Sequence, residues 1–553
     1  MKKILTYITL AVVMLSGCVS NDLPYPVVVP NITSVIVDEA DEVEINYDTR
    51  TVTIHLPEDA DIRSVAIRSV QIDKEIAKTS IDLVGVHDLT KPLKFKIRTY
   101  DDYDWTIVGS RPVERYFTVK GQVGASVIDE LNRRAVAMVG KNENLENITV
   151  TSLKLGAAGK TTYSMSIDQL KDFSSGIVLE VTEFDYTENW YLFIEQTDAS
   201  VDIQKVNPWA NMAYVTSIGV AGVENGFKYR EVGSQSWITV DPSDITSNGG
   251  SFVAHIKGLS PDTEYEVIAT CGNDKSNVVI FTTESATPIP NGSFEYASRV
   301  AGSSYYKFYD PDCGVEDGSY MFWGSGNGEG SEGVNGSASM GIVITHIDTE
   351  EKIDGRQSVR AQTSQLAGIL AAGNLFTGQF AGLVGTSGGK VNFGRPWTTR
   401  PVALKLYCKY QTDKIDIVGG MPPGVSLGKT DYDRAEIKFA IGNWDYRKYG
   451  GTPASPIHVN TTDSGTFVDF SKDESTIANG SLILYNDGYS LNSQDKVGAN
   501  TAIWTEYTIP LNYHQMEQTP THIVISCAAS RYGDYFTGCS SSKLWIDAVE
   551  LVY

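Results

Sequence analysis

Alternation of apolar and polar residues is the feature that most restricts this chain. In Val52-Thr53-Ile54-His55-Leu56 and Lys94-Phe95-Lys96-Ile97-Arg98 every second side chain is apolar. A period of two suits a strand that buries one face and wets the other. Glycine, proline, asparagine and aspartate cut such runs into short lengths, and apolar spacing at helical intervals is scarce. The expected fold is all-β, built from sandwiches in which half-apolar sheets cover one another. At 553 residues the chain is long enough for several such domains.

An internal repeat organises the first part. At an offset of about 83, Val52, Ile54 and Leu56 fall on Ala135, Ala137 and Val139, while Ile62, Val65, Ile67, Val70 and Ile72 fall on Leu145, Ile148, Val150, Leu153 and Leu155. Asp104-Trp105-Thr106-Ile107 matches Asn189-Trp190-Tyr191-Leu192 at a slightly larger offset, so a short loop insertion separates two copies of one sandwich. Each tryptophan is expected in the core. The copies, 31–120 and 121–206, resemble the immunoglobulin-like sandwiches of Bacteroidetes surface lipoproteins.

A third unit, 207–286, contains Phe227-Lys228-Tyr229-Arg230, Trp237, Gly258-Leu259-Ser260-Pro261-Asp262-Thr263-Glu264-Tyr265 and Val279-Ile280-Phe281-Thr282-Thr283. In that order these elements resemble a fibronectin type III domain. The resemblance implies that Leu259 and Tyr265 plug the core, with a tryptophan packed across from them. Such modules are usually spacers, and Thr287-Pro288-Ile289-Pro290 is expected to make a stiff joint to the carboxy-terminal segment.

At the amino terminus, Lys2 and Lys3 precede an apolar run that ends in Leu15-Ser16-Gly17-Cys18. This resembles a bacterial lipoprotein signal peptide (1–17), which implies cleavage before Cys18 and lipidation of that cysteine. Residues 18–30 then form a lipid-anchored linker. No other stretch approaches the ~18 apolar residues of a spanning helix, so the lipid is the expected membrane attachment. Loss of the two signal-peptide lysines takes the formal charge from −23 to −25, which disfavours nucleic acid. The remaining cysteines, Cys271, Cys313, Cys408, Cys527 and Cys539, are odd in number and scattered, so they form no disulfide framework. A Cys527–Cys539 bridge is the alternative in an oxidising compartment, but apolar neighbours such as Val524 and Ile525 favour a buried free thiol at Cys527.

The carboxy-terminal segment, 291–553, turns rich in Gly, Ser, Trp and Tyr. It opens on Asn291-Gly292-Ser293-Phe294-Glu295 and closes on Leu544-Trp545-Ile546-Asp547-Ala548-Val549-Glu550-Leu551. These ends resemble the adjacent first and last strands of jelly-roll carbohydrate-binding modules, where acidic residues hold a structural calcium ion. The resemblance implies calcium ligands at Glu295 and Asp547, although Ala548 stands where a second acid is usual. Hard carboxylate and carbonyl oxygens suit calcium; pairing of the two acids with local backbone or basic groups is the alternative. Between the ends run Gly355-Arg356-Gln357-Ser358-Val359-Arg360, Asn392-Phe393-Gly394-Arg395-Pro396-Trp397 and Ser530-Arg531-Tyr532-Gly533-Asp534-Tyr535-Phe536. Their order resembles the putative carbohydrate metabolism domain of Bacteroidetes.

Sugars are held by aromatic rings against their C–H faces and by carboxylates, amides and arginines at their hydroxyls. Trp323 beside a glycine-rich loop, Trp397 with Arg395, Trp444 with Tyr446, and Tyr532 with Asp534 are the candidate binders; Trp444 and Tyr446 are the preferred platform. Hydrolysis would need two facing carboxylates. Asp310, Asp312, Asp431, Asp433, Glu436 and Asp534 are available, and the sequence singles out none of them. The seven histidines show no paired metal spacing, and no nucleophile elbow, phosphate loop or dinucleotide fingerprint occurs.

The expectation is thus an outer-membrane, lipid-anchored protein, displayed at the cell surface. Three small sandwiches in series would lift a jelly-roll head roughly 100 Å from the lipid. The head would bind a glycan or oligosaccharide, alongside other surface glycan-utilisation proteins. A glycoside hydrolase, or a structural or adhesive surface protein, are the alternatives.

Overall fold

The computed structural model describes residues 28–553 apart from 48, 199, 301–302, 310–320, 330–333, 367, 386, 423–424 and 486–502. Cys18, Asp310, Asp312 and Cys313 lie outside the described residues. The fold is all-β, and among the described residues the only α-helix is the single turn Tyr446–Tyr449. No helix of the described residues is long and apolar enough to cross a membrane.

The chain divides into two compact units, one running to Val201 and taking in Ile218–Glu224 and Ser247–Phe252, the other comprising Asp202–Ser217, Asn225–Thr246 and Val253–Tyr553. Two sandwiches succeed one another in the first unit. In the earlier one, Thr51–His55 runs parallel to Asp102–Ser110 with Val52 opposite Ile107. In the later one, Arg134–Gly140 runs parallel to Tyr186–Thr197 with Ala135 opposite Leu192. These are the positions that the sequence repeat equates, so the same parallel pair recurs in both. Trp105 and Trp190 are buried among the apolar strand residues of their respective cores.

In the second unit, Asn225–Glu231 pairs with Glu264–Cys271, which also pairs with Val279–Thr282. Leu259 and Tyr265 are buried there. The Tyr265 hydroxyl accepts the Ser260 N–H at 2.9 Å, and its ring stacks on Phe281 at 5.8 Å. Trp237 departs from expectation: it precedes a two-residue edge strand whose residues are exposed, and it lies under the Arg230 guanidinium at 4.5 Å instead of in the core. The tryptophan that does turn inward is Trp209.

The rest of this unit is a two-sheet antiparallel sandwich. A ten-stranded sheet runs through Gly388–Phe393, Asn374–Val384, His522–Ala528, Arg434–Gly442 and Thr476–Tyr485, and a five-stranded sheet centres on Lys543–Val552 and Ala403–Gln411. Ile437, Phe439, Ile441, Ile523 and Ile525 from the first belong to the same core as Leu404, Leu406 and Ile546 from the second. The Val549 N–H donates to the Gly292 carbonyl at 2.9 Å, so the two ends of the segment do lie side by side.

The third sandwich is not a free spacer. Arg400, 3% exposed, donates to Glu284 at 2.8 Å, to Asn207 at 2.8 Å and to the Pro208 and Met516 carbonyls, and it lies over the Trp209 ring at 4.6 Å. Asn211 donates to the Tyr553 carbonyl, and the Tyr553 hydroxyl to Thr287. One buried guanidinium thus satisfies groups from both sandwiches, with the Glu284 carboxylate to balance its charge.

A second buried charge organises the end of the large sheet. Asp433, 1% exposed, accepts from Ser530 at 2.6 Å, from Ser542 and the Cys539 N–H at 2.8 Å, and from the Arg434 N–H at 2.8 Å. It ties the start of Arg434–Gly442 to the loop 530–542. Burial pushes its pKa up to about 6 against the pull of those four donors.

Arg400→Ala strands the Glu284 carboxylate, so it should cost about 3 kcal/mol in denaturant unfolding and open 287–290 to proteolysis; an unchanged midpoint and digestion pattern would refute the hub. Asp433 binds its proton more tightly in the native state than in the unfolded chain. Its contribution to stability is therefore fully present below about pH 4 and is lost as pH rises through about 6. Asp433→Asn removes that titration. The wild type's stability relative to the variant should accordingly rise by about 3 kcal/mol between pH 7 and pH 4 in urea titrations, and a pH-independent gap would count against it.

Candidate functional site

Alternation in Arg434–Gly442 sends Ile437, Phe439 and Ile441 into the core and leaves Glu436 and Lys438 on the sheet's other face. The antiparallel register sets Lys438 opposite Ser481 on one neighbouring strand and Ser526 on the other, with Asn479 opposite Ala440. A polar floor results across three strands. Two loops wall it, 467–471 with Phe467, Asp469 and Phe470, and 531–535 with Arg531, Tyr532, Asp534 and Tyr535. The cleft between them has a volume of about 580 Å³.

Each wall has a local cause. Asp469 accepts the Ser471 N–H at 3.0 Å and its hydroxyl at 2.6 Å, an Asx turn that closes the first loop. Phe470 leans edge-on against Trp444 at 5.5 Å, and Phe467 meets Tyr535 edge-on at 5.4 Å. The second loop is a short 3₁₀ turn, Gly533–Tyr535, ended by Phe536 in the left-handed region at φ 58°. Asp433 anchors it from below.

Charge is unevenly matched in the cleft. Glu436 lies 3.4 Å from Arg531 and 3.5 Å from Lys438. Asp534 makes no hydrogen bond or ion pair among the described residues, although it is solvent-accessible. The surrounding walls desolvate it and raise its pKa; Lys438 opposes this and Glu436 adds to it. The Ser481 and Ser526 hydroxyls make no hydrogen bond among the described residues either. The arrangement offers a free carboxyl, a paired carboxylate, two cations and unused hydroxyls between aromatic walls, which suits a polyhydroxylated ligand.

Of the sequence-predicted binders, Tyr532 and Asp534 line this cleft. The tryptophans do not. Trp323 is 1% exposed and donates its indole N–H to the Pro290 carbonyl, Trp397 packs on Phe322 in the main core, and Trp444 donates to Asp473 beneath the 467–471 loop. Their rings are already covered by protein, so no sugar can stack on them. Arg395 is likewise buried, bonded to the Phe322 and Gly378 carbonyls and to Ser455. Tyr446 lies on the single helical turn, against Arg447, away from the cleft. Glu436 stood among six possible carboxylates; Lys438, Ser481, Ser526, Phe467 and Phe470 were not singled out. The polar ones alternate with core residues as any solvated strand face does, so only their pairing across strands reveals a site.

Glu295 and Asp547 both grip the segment 353–357. Glu295 accepts the Arg356 and Gln357 N–H groups at 2.7 and 3.1 Å and the Arg356 guanidinium at 2.9 Å. Asp547 accepts the Ile353, Asp354 and Ala548 N–H groups at 2.7, 3.0 and 2.8 Å. Burial would raise the Glu295 pKa, but these donors outweigh it and hold it low; in Asp547 burial prevails. These donors clasp both carboxylates to the segment 353–357, the local pairing that the sequence offered as the alternative to calcium. Among the described residues no group of three His, Cys, Asp or Glu is placed to hold a metal ion. Cys271, Cys408, Cys527 and Cys539 are buried, and none of them is in a disulfide among the described residues.

No curated protein matches the chain. A putative glycoside hydrolase from Bacteroides thetaiotaomicron VPI-5482 aligns over 96% of this chain and 98% of its own, at 13% identity and a TM-score of 0.31. Another, from Bacteroides vulgatus ATCC 8482, aligns over 48% of this chain and 97% of its own, at 19% identity and a TM-score of 0.32. A surface glycan-binding protein from Prevotella bryantii aligns over 79% of this chain and 90% of its own, at 12% identity and a TM-score of 0.17. Likenesses at these scores assign no residue of this chain a role. Residues 293–552 match the family model of the putative carbohydrate metabolism domain, so the two-sheet sandwich that carries the cleft is the part of the chain similar to that family.

Proposed function

We propose that this protein binds a glycan in the cleft above the Glu436–Lys438 floor, as a lipoprotein anchored through Cys18 in the outer membrane and displayed at the cell surface. The observation that carries the reading is the cleft itself. Within the segment that matches a carbohydrate-related family, unpaired hydroxyls and a free Asp534 carboxyl face outward between Tyr532, Tyr535, Phe467 and Phe470. Asp534 and Glu436 take sugar hydroxyls as acceptors, Lys438 and Arg531 donate, and the ring edges and faces of the walls cover C–H surface.

Hydrolysis is the second reading, favoured by one observation. Asp534, whose carboxyl the cleft walls shift to a higher pKa, stands in the same cleft as Glu436, which lies against two cations, and two carboxyl groups in unlike surroundings within one cleft are what glycoside cleavage uses. Asp534 would protonate the leaving oxygen, so activity would fall as pH rises past its pKa.

Titration of a soluble polysaccharide panel into the protein should find a ligand whose affinity drops about tenfold or more in Asp534→Asn, Glu436→Gln and Tyr532→Ala. Binding unchanged in all three folded variants would remove the cleft from consideration. Reducing-sugar release in the same assays, lost in the two carboxylate variants, would decide for hydrolysis; release that persists would decide against it. Cys18→Ser should move the protein from the detergent phase to the aqueous phase of cell extracts, and retention in detergent would refute the lipid anchor.

A further inference from the structure

Beside the cleft lies a second cavity, of about 180 Å³, lined by Ile344, Leu370, Phe380, Leu383, Val391 and Phe536. The two adjoin along the same strands. Phe393 lines the cleft and Val391, two residues earlier on the same strand, lines the cavity; Val459, a cleft residue, is the cross-strand partner of Val391. Positions i and i+2 of a strand are only about 7 Å apart, and Asp534 borders both spaces. Yet the two differ sharply in character. The cavity's lining is mostly apolar: Asn374 and Thr461 also border it, but their side chains are bonded to the backbone of Gly326, Ala372 and Gly389, Asp534 stands at its junction with the cleft, and the Ser337 hydroxyl, in a residue 6% exposed, is buried with no hydrogen-bond partner among the described residues.

A sugar ring does not suit such a space, because its hydroxyls would lose water without finding partners. An apolar cavity of roughly 150 Å³ takes a benzene ring. The unpaired Ser337 hydroxyl calls for one polar atom on an otherwise apolar occupant. We propose that the glycan in the cleft carries a single-ring aromatic substituent, which enters this cavity and sets one oxygen against Ser337. The inference rests on the cleft reading and narrows its ligand to an aryl-bearing sugar.

Calorimetric titration of the full chain with methyl, phenyl and 4-hydroxyphenyl glycosides of glucose, galactose, mannose and xylose tests it. For at least one sugar the phenyl glycoside should bind about tenfold to a hundredfold tighter than the methyl one, and the 4-hydroxyphenyl glycoside tighter still. Val391→Trp, or Leu383→Trp if the first variant fails a near-UV circular dichroism check, should fill the cavity and erase the aryl advantage while leaving methyl glycoside affinity intact. Ser337→Ala should erase only the increment from the phenolic hydroxyl. Equal affinity for methyl and phenyl glycosides would overturn the aromatic substituent and leave the cleft reading standing. So would an aryl preference that survives both filling variants. Failure of every glycoside and of the polysaccharide panel would overturn both.

Discussion

The strand Arg434–Gly442 sits between Thr476–Tyr485 and His522–Ala528, and its pairing with both decides at once what is core and what is cleft. Because side chains alternate across a strand, a slip of one residue would drive Glu436 and Lys438 into the interior and turn Ile437, Phe439 and Ile441 out to water. Moving these two charges out of the cleft into an apolar core while exposing three large apolar side chains is strongly unfavourable. The core therefore locks the register, and the register locks the polar floor. Ser481 and Ser526 flank Lys438 for no other reason than that their strands are held in place by apolar residues on the opposite face.

Buried charges complete what the sheets leave open. Asp433 gathers four donors and fixes the loop that presents Tyr532 and Asp534, so a group with no part in the cleft lining determines where two of its walls' residues stand. Arg400 performs a comparable task between the third sandwich and the carboxy-terminal one. Glu295 and Asp547 clasp the 353–357 segment through its amides. In each case a carboxylate or guanidinium exchanges water for several fixed donors or acceptors, which makes the local geometry specific because any displacement leaves a charge unpaired.

The tryptophans illustrate how a composition argument can point to the wrong place. Trp323, Trp397 and Trp444 stand among glycines, arginines and acids in the chain, the company kept by aromatic rings at sugar sites. In the fold those polar neighbours serve the interior: Arg395 satisfies carbonyls of two other segments, Asp473 receives the Trp444 indole N–H, and the glycines allow close approach of backbone. A buried indole N–H usually takes a polar partner, as those of Trp323 and Trp444 do, so polar residues near a tryptophan are as much a mark of burial as of binding. Conversely, Phe467 and Phe470 lie in a loop whose role depends wholly on its return over the sheet.

Local alternation and turn residues were enough to establish an all-β chain, and the spacing of apolar ladders was enough to equate Val52 with Ala135 and Ile107 with Leu192, since strand period and repeat length are properties of neighbouring residues. The core places of Leu259 and Tyr265 and the adjacency of the segment's two ends could be read as resemblances for the same reason. Tertiary structure alone decided which polar positions converge. Glu436, Ser481, Ser526 and Asp534 come from separate stretches of chain, and Arg400 finds Glu284 more than a hundred residues away. A one-dimensional pattern records which face a side chain takes, but neighbours across a sheet are set by register and loop return, which depend on every strand packing at once.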